Sequence, residues 1–127
     1  MKKVCSILLI GVGLLNLVPV IGVLSAEQVN GMYGINIASA DLETLMRHRA
    51  VMLGLIGSLL LLSAFRSSLQ VVAASIGLVS MTSFVLLAYM IGETGDNINK
   101  VVVADVVGSI AVAIALVIAV REGRIST

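Results

Sequence analysis

Charge is missing from four long stretches of this chain, and that absence decides the solvent it folds in. Residues 4–24, 50–65, 70–91 and 101–120 together contain a single Asp, Glu, Lys or Arg, namely Asp105. A helix crossing the hydrocarbon of a bilayer needs about 20 predominantly apolar residues. Three of the stretches meet that length directly. The second meets it when the flanking Leu45-Met-Arg-His-Arg49 is included. Hydrophobic residues make up 59% of the chain and charged residues 12%, far from the balance of a water-soluble domain. The expected fold is therefore an all-α membrane protein. It is an antiparallel bundle of four transmembrane helices at about 4–24, 45–65, 70–91 and 100–120, forming one domain over residues 1–127.

The same composition excludes several function classes. A net charge of +1 provides no basic face for nucleic acid, and 3% aromatic residues provide no stacking platform for bases. Cys5 is the single cysteine, so one chain can form neither a disulfide nor a cysteine-pair redox centre. With one histidine, His48, no metal site is expected, and no cofactor either. Gly11-Val-Gly13 lacks the strand–turn–helix setting of a dinucleotide fingerprint, and there is no Walker motif or nucleophile elbow. No enzymatic activity is expected.

Along the chain, Met1-Lys-Lys opens an uncharged run that ends at Leu24-Ser25-Ala26. That end resembles a secretory cleavage site. The run, however, exceeds the roughly 7–15 residues of a signal core. It also carries Gly11, Gly13, Asn16 and Pro19, residues of a packed membrane helix, so a retained first span is the preferred reading. Pro19 should kink or end that helix. Residues 25–44 are the longest polar stretch, with turn signals at Asn30-Gly31 and Tyr33-Gly34 and with Tyr33 suited to the membrane interface. Ser39 or Asp41 can cap the second helix, and Glu43 and Arg47 stand at i, i+4 spacing. Lys2, Lys3, Arg66, Arg121 and Arg124 fall on one side of the membrane, and Arg47, Arg49 and Lys100 on the other. Five against three places both termini in the cytoplasm of a bacterial inner membrane by the positive-inside rule.

The polar focus lies in the outer half. Asp105 sits about one and a half turns, roughly 8 Å, inside the expected fourth helix. It shares a helix face with Val101, Gly108, Ser109 and Val112. A carboxylate at such depth costs several kcal/mol unless it is paired, hydrogen-bonded or protonated. Arg47 lies at a similar level, on the side of the second helix that holds Ala50, Gly54 and Ser58. Small residues mark close helix packing, so Arg47 is expected to point inward and pair with Asp105. Arg49 or His48 is the second choice. Tyr89 and Asn16, from the outer halves of the other two helices, complete the candidate ligand-binding set.

The run Leu45-Met-Arg-His-Arg-Ala-Val-Met-Leu-Gly-Leu-Ile-Gly57, the stop at Ala64-Phe65-Arg66, and Gly77-Leu-Val-Ser-Met-Thr-Ser-Phe84 carry a resemblance. They resemble a group of small uncharacterised bacterial four-helix membrane proteins, some of which bear the label phosphopantetheine adenylyltransferase. The residues do not support that label here, since there is no nucleotidyltransferase-type His-x-Gly-His and no soluble α/β pattern. At the level of architecture the chain also looks like DoxX-like membrane proteins.

Two functional expectations follow. The first is a non-enzymatic accessory or scaffold subunit in contact with membrane lipids, packing against its own copies or a larger membrane complex. The second is a protein that binds or transports a lipid headgroup, quinone or small anion at an outer-leaflet pocket built on Arg47 and Asp105. A lipid-exposed face of small residues would favour the first. Polar groups left over once Arg47 and Asp105 are paired would favour the second.

Overall fold

The computed structural model describes residues 1–23, 27, 38–92 and 94–125. Four helices appear in chain order: α1 (Lys2–Leu17), α2 (Ala40–Phe65), α3 (Ser67–Ile91) and α4 (Asp96–Ile125). All four spans are long and apolar enough to cross a membrane, and no strand occurs among the described residues. The protein is a multi-pass membrane bundle. The sequence readings at Leu24-Ser25-Ala26, the turns at residues 30–34 and interfacial Tyr33 lie outside the described residues.

Local chemistry sets the helix ends. α1 stops at Leu17, and the chain continues as a 3₁₀ helix over Val18–Val23. Pro19 explains the change, because its ring lacks the N–H that an α-helix would direct at Leu15 and clashes with that carbonyl. The α2 helix begins at Ala40, about one turn before the apolar run predicts, because Ser39 caps it by accepting from the Leu42 N–H at 3.1 Å. Asp41 and Glu43 then fall in its first turn, against the positive end of the helix dipole. One extended residue, Arg66, separates α2 from α3, so the two must run antiparallel. Gly92 ends α3 at φ +70, a backbone region where side-chain-bearing residues are strained. The α4 helix also starts a turn earlier than expected. The Thr94 hydroxyl donates to Asn99 Oδ1 at 2.7 Å, and Asn99 Nδ2 donates back to the Thr94 carbonyl at 3.3 Å.

In cross-section the bundle is a square with α1, α2, α3 and α4 at successive corners. Each helix packs on two neighbours, while the α1/α3 and α2/α4 diagonals make at most grazing contact. The closest approach is between α1 and α2. A Cβ built on Gly57 would lie 2.8 Å from the Gly13 carbonyl oxygen and 3.0 Å from Leu17 Cγ. The interior is lined mainly by small side chains, including Cys5, Ala64, Ala73, Ala74, Ala115 and Ala119, with Leu9, Leu60 and Met81 filling the gaps. Two hydroxyl and thiol bonds tie neighbours together: Ser6 donates to the Ala64 carbonyl at 2.8 Å, and the Cys5 thiol to the Ala115 carbonyl at 3.5 Å. The outward faces are bulky and aliphatic, as with Val72, Val79 and Leu86 on α3 and Val107, Ile110 and Val117 on α4. Small inside and large outside is the pattern expected when lipid, rather than water, is the solvent.

The α1/α2 contact yields a test. Replacing Gly57 with Val should lower stability by about 1–3 kcal/mol, because neither backbone nor Leu17 can yield the space. Gly11, where a Cβ would meet nothing within 4 Å, provides the control. Gly11→Ala should be neutral or raise stability by up to about 1 kcal/mol through helix propensity. Thermal melting in detergent reads both, and equal losses at the two sites would contradict the packing described.

Candidate functional site

Helix α2 presents two inward faces, one to each neighbour. The face bearing Arg47, Ala50, Gly54 and Gly57 meets α1 and its 3₁₀ extension, where a Cβ on Gly54 would lie 3.0 Å from Val20. Arg49 stands about 200° around the helix from Arg47. It heads the stripe Arg49, Leu53, Ile56 and Leu60, which meets α3, with Leu60 against Gly77. This separation corrects the expected pairing. Arg47 is bound within its own helix to Glu43, at 3.1 Å and i, i+4 spacing, and the pair is half-buried. It does not pair with Asp105. The small residues beside Arg47 do mark a packed face, but that face belongs to α1, whereas Asp105 is on the diagonally opposite helix.

Arg49, with His48 the second choice, is the cation that shares a cavity with Asp105. Both line one cavity of about 230 Å³ between α2, α3 and α4, together with Ser80, Ser83 and Phe84. The Arg49 guanidinium lies 4.8 Å above the centre of the Phe84 ring, a cation–π contact that fixes its position. No hydrogen bond or salt bridge to a side chain closes on the Asp105 carboxylate among the described residues. The carboxylate also borders a second cavity of about 230 Å³, lined by Leu15, Pro19, Asn97 and Lys100 on its α1 side. Asp105 thus forms a wall between two openings, with Arg49 in one and Lys100 in the other.

The remaining predicted residues are not brought together. His48 is exposed. Tyr89 is 85% exposed and points away from the interior. Asn16 is buried as expected, but its amide donates to the Val12 carbonyl at 2.9 Å and approaches Met81 Sδ at 3.8 Å. It is therefore part of the packing and not a partner of Asp105. Ser83, Phe84 and Lys100 were not in the predicted set. The helical spacing of Ser80, Ser83 and Phe84 was the available signal.

A larger cavity, about 520 Å³, lies at the opposite end, where Met1 meets Ile114, Val117 and Arg121. Its wall is mainly aliphatic, with Arg121 and Glu122 at its rim. Among the described residues no three His, Cys, Asp or Glu side chains gather as a metal would require. Comparison with protein-family models, curated proteins and solved structures finds no match.

If Arg49 and Asp105 act on one another across the cavity, their effects on stability are not independent. In a double-mutant cycle with Arg49→Met and Asp105→Leu, the coupling energy should be about 0.5–3 kcal/mol. The same cycle with Arg47→Met and Asp105→Leu should be additive within about 0.5 kcal/mol. Coupling at Arg47 but not at Arg49 would reverse the assignment.

Proposed function

We propose that this protein is a small inner-membrane binding protein whose site is the Arg49/Asp105 cavity, and that its ligand is a small polar group carried by, or dissolved beside, the lipid. One observation carries the reading. A carboxylate at membrane depth faces an arginine across an open cavity, and the two do not close into a salt bridge. An arginine and a carboxylate that share a cavity without bonding to each other leave room for a polar group between them. Ser80 and Ser83 line the same cavity, the Ser83 hydroxyl donating to the Ser80 carbonyl at 2.9 Å. The reading assigns binding and no reaction. The alternative of an accessory or scaffold subunit draws less support, because small residues such as Gly13, Gly57, Gly77 and Gly108 are taken up in contacts within the bundle.

Orientation belongs to the proposal. Lys2, Lys3, Arg66 and Arg121 share one end of the bundle and support a cytoplasmic location for it. The site then opens toward the outer half of the membrane. In a Cys5→Ser background, a membrane-impermeant thiol reagent should label Gly95→Cys in intact cells. It should label Ser67→Cys only after permeabilisation, and the reverse pattern would invert the topology.

The cavity itself is tested in the same background. Ser80→Cys should react with a small charged thiol reagent, because the cavity admits water. Val79→Cys, on the adjoining lipid-exposed face, should not. An inert Ser80→Cys would mean a dry interior and would remove the basis of the binding reading.

A further inference from the structure

The cavity at the far end of the bundle from Asp105 joins an apolar wall to a charged rim. Ile114, Val117 and Ile118 lie on one stripe of α4, and Arg121 and Glu122 continue it by a turn. Met1, at the start of α1, completes the lining of this space of about 520 Å³. Ile114 and Val117 are 48% and 51% exposed, so the groove opens sideways to the hydrocarbon. An aliphatic chain of the bilayer can lie in it without displacing water.

The charges at this end share one depth. The uncharged run of α1 begins at Val4, directly after Lys2 and Lys3. The uncharged run of α4 ends at Val120, directly before Arg121. Since α1 and α4 are neighbours running in opposite directions, Lys3 and Arg121 mark the same membrane boundary. Lys2, Lys3 and Arg121 are all exposed. Long basic side chains at a helix end lay their stems on apolar surface and raise their charge to the headgroup level. Glu122 is the one carboxylate at the rim, and α1 carries none, so the balance there is positive. Among the described residues no ion pair closes on Lys2, Lys3, Arg121 or Glu122. Arg66 shares the depth but stands at the corner between α2 and α3, on the edge of the square opposite α1 and α4.

We infer that this groove seats an anionic phospholipid, with an acyl chain along Ile114, Val117 and Ile118 and the headgroup phosphate held by Lys2, Lys3 and Arg121. An acyl chain alone gains little by leaving lipid for a wall of equal polarity, so selection falls to the headgroup. Basic clusters at a membrane boundary attract anionic headgroups, and the guanidinium presents N–H donors in a plane suited to two oxygens of one phosphate. A zwitterionic headgroup brings no net charge to a positive rim, and its ammonium faces the same cations. A soluble phosphate would find the cations but leave the apolar wall unused. A second copy of this chain, docked by two-fold symmetry, would bring the same cations to the same rim and be repelled. The inference goes beyond the Arg49/Asp105 reading and uses none of its residues, so either can fail without the other.

The test is native mass spectrometry of the full chain in detergent, titrated with phosphatidylglycerol and phosphatidylcholine of identical acyl chains. Phosphatidylglycerol should bind about tenfold more tightly, and equal binding would overturn the inference. This comparison needs no variant, so it stands even if a substitution unfolds the chain. Arg121→Gln and Lys3→Gln should each cut the preference about fivefold. Glu122→Gln should raise it, because it removes the one repelling carboxylate. Arg66→Gln makes the same change in net charge at the opposite edge and should leave the preference within about twofold. A loss equal to that of Arg121→Gln would mean attraction to the whole charged end, and would overturn the groove as the site. Val117→Trp fills the groove from a lipid-exposed position and should weaken phosphatidylglycerol, whereas unchanged binding would overturn the seating of the chain. Glycerol phosphate should not compete, and competition equal to that of the lipid would overturn the lipid assignment. A lipid-free dimer that Val117→Trp splits would give the groove to a second copy and overturn the inference.

Discussion

The backbone-to-backbone approach of α1 and α2 at Gly13 and Gly57 is the contact on which the rest of the bundle turns. In a bilayer the helices gain little from excluding lipid, so they hold together through close dispersion contacts and hydrogen bonds. A glycine on each side lets two backbones approach where any other residue would hold them apart. Once α1 occupies that face of α2, the face bearing Arg49 is left for α3. The one-residue corner at Arg66 then brings α3 directly alongside. α4 closes the square between α3 and α1, with Gly108 admitting Met81 from one side and Leu15 from the other.

The site follows from this order of corners. Because α2 and α4 are diagonal, Arg49 and Asp105 reach toward each other through the bundle rather than across a packed seam. A diagonal is wider than a neighbouring pair, and the extra width appears as the cavity. Two opposite charges on adjacent helices would have collapsed into a structural salt bridge. Placed on a diagonal, they line a shared cavity. Phe84 holds the guanidinium by its ring face, which restricts the freedom of a long side chain.

Much of this was legible without the fold. The four charge-poor stretches, the stop at Pro19, the cap at Ser39 and the Glu43–Arg47 pair all depend on residues within a few positions of one another, so local physics fixes them. The inward placement of Asp105 and Asn16 was legible too, since a polar group at membrane depth avoids lipid. The choice of Arg47 over Arg49 was not legible. Small residues identified one packed face of α2 correctly, but a helix at the corner of a square has two packed faces. The second was disguised by the larger side chains of Leu53, Ile56 and Leu60. Tyr89 misled for a related reason, because its depth suited the site while its azimuth faced lipid.

The sequence by itself determined that this protein lives in a membrane as four helices and that one carboxylate must be turned inward. Those outcomes follow from hydrocarbon thickness and from the cost of polar groups in lipid, which act on each segment alone. Only the tertiary structure decided which cation faces that carboxylate and how much room lies between them. That choice depends on which helix occupies each corner, and the corners are set by backbone contacts between residues distant in the chain.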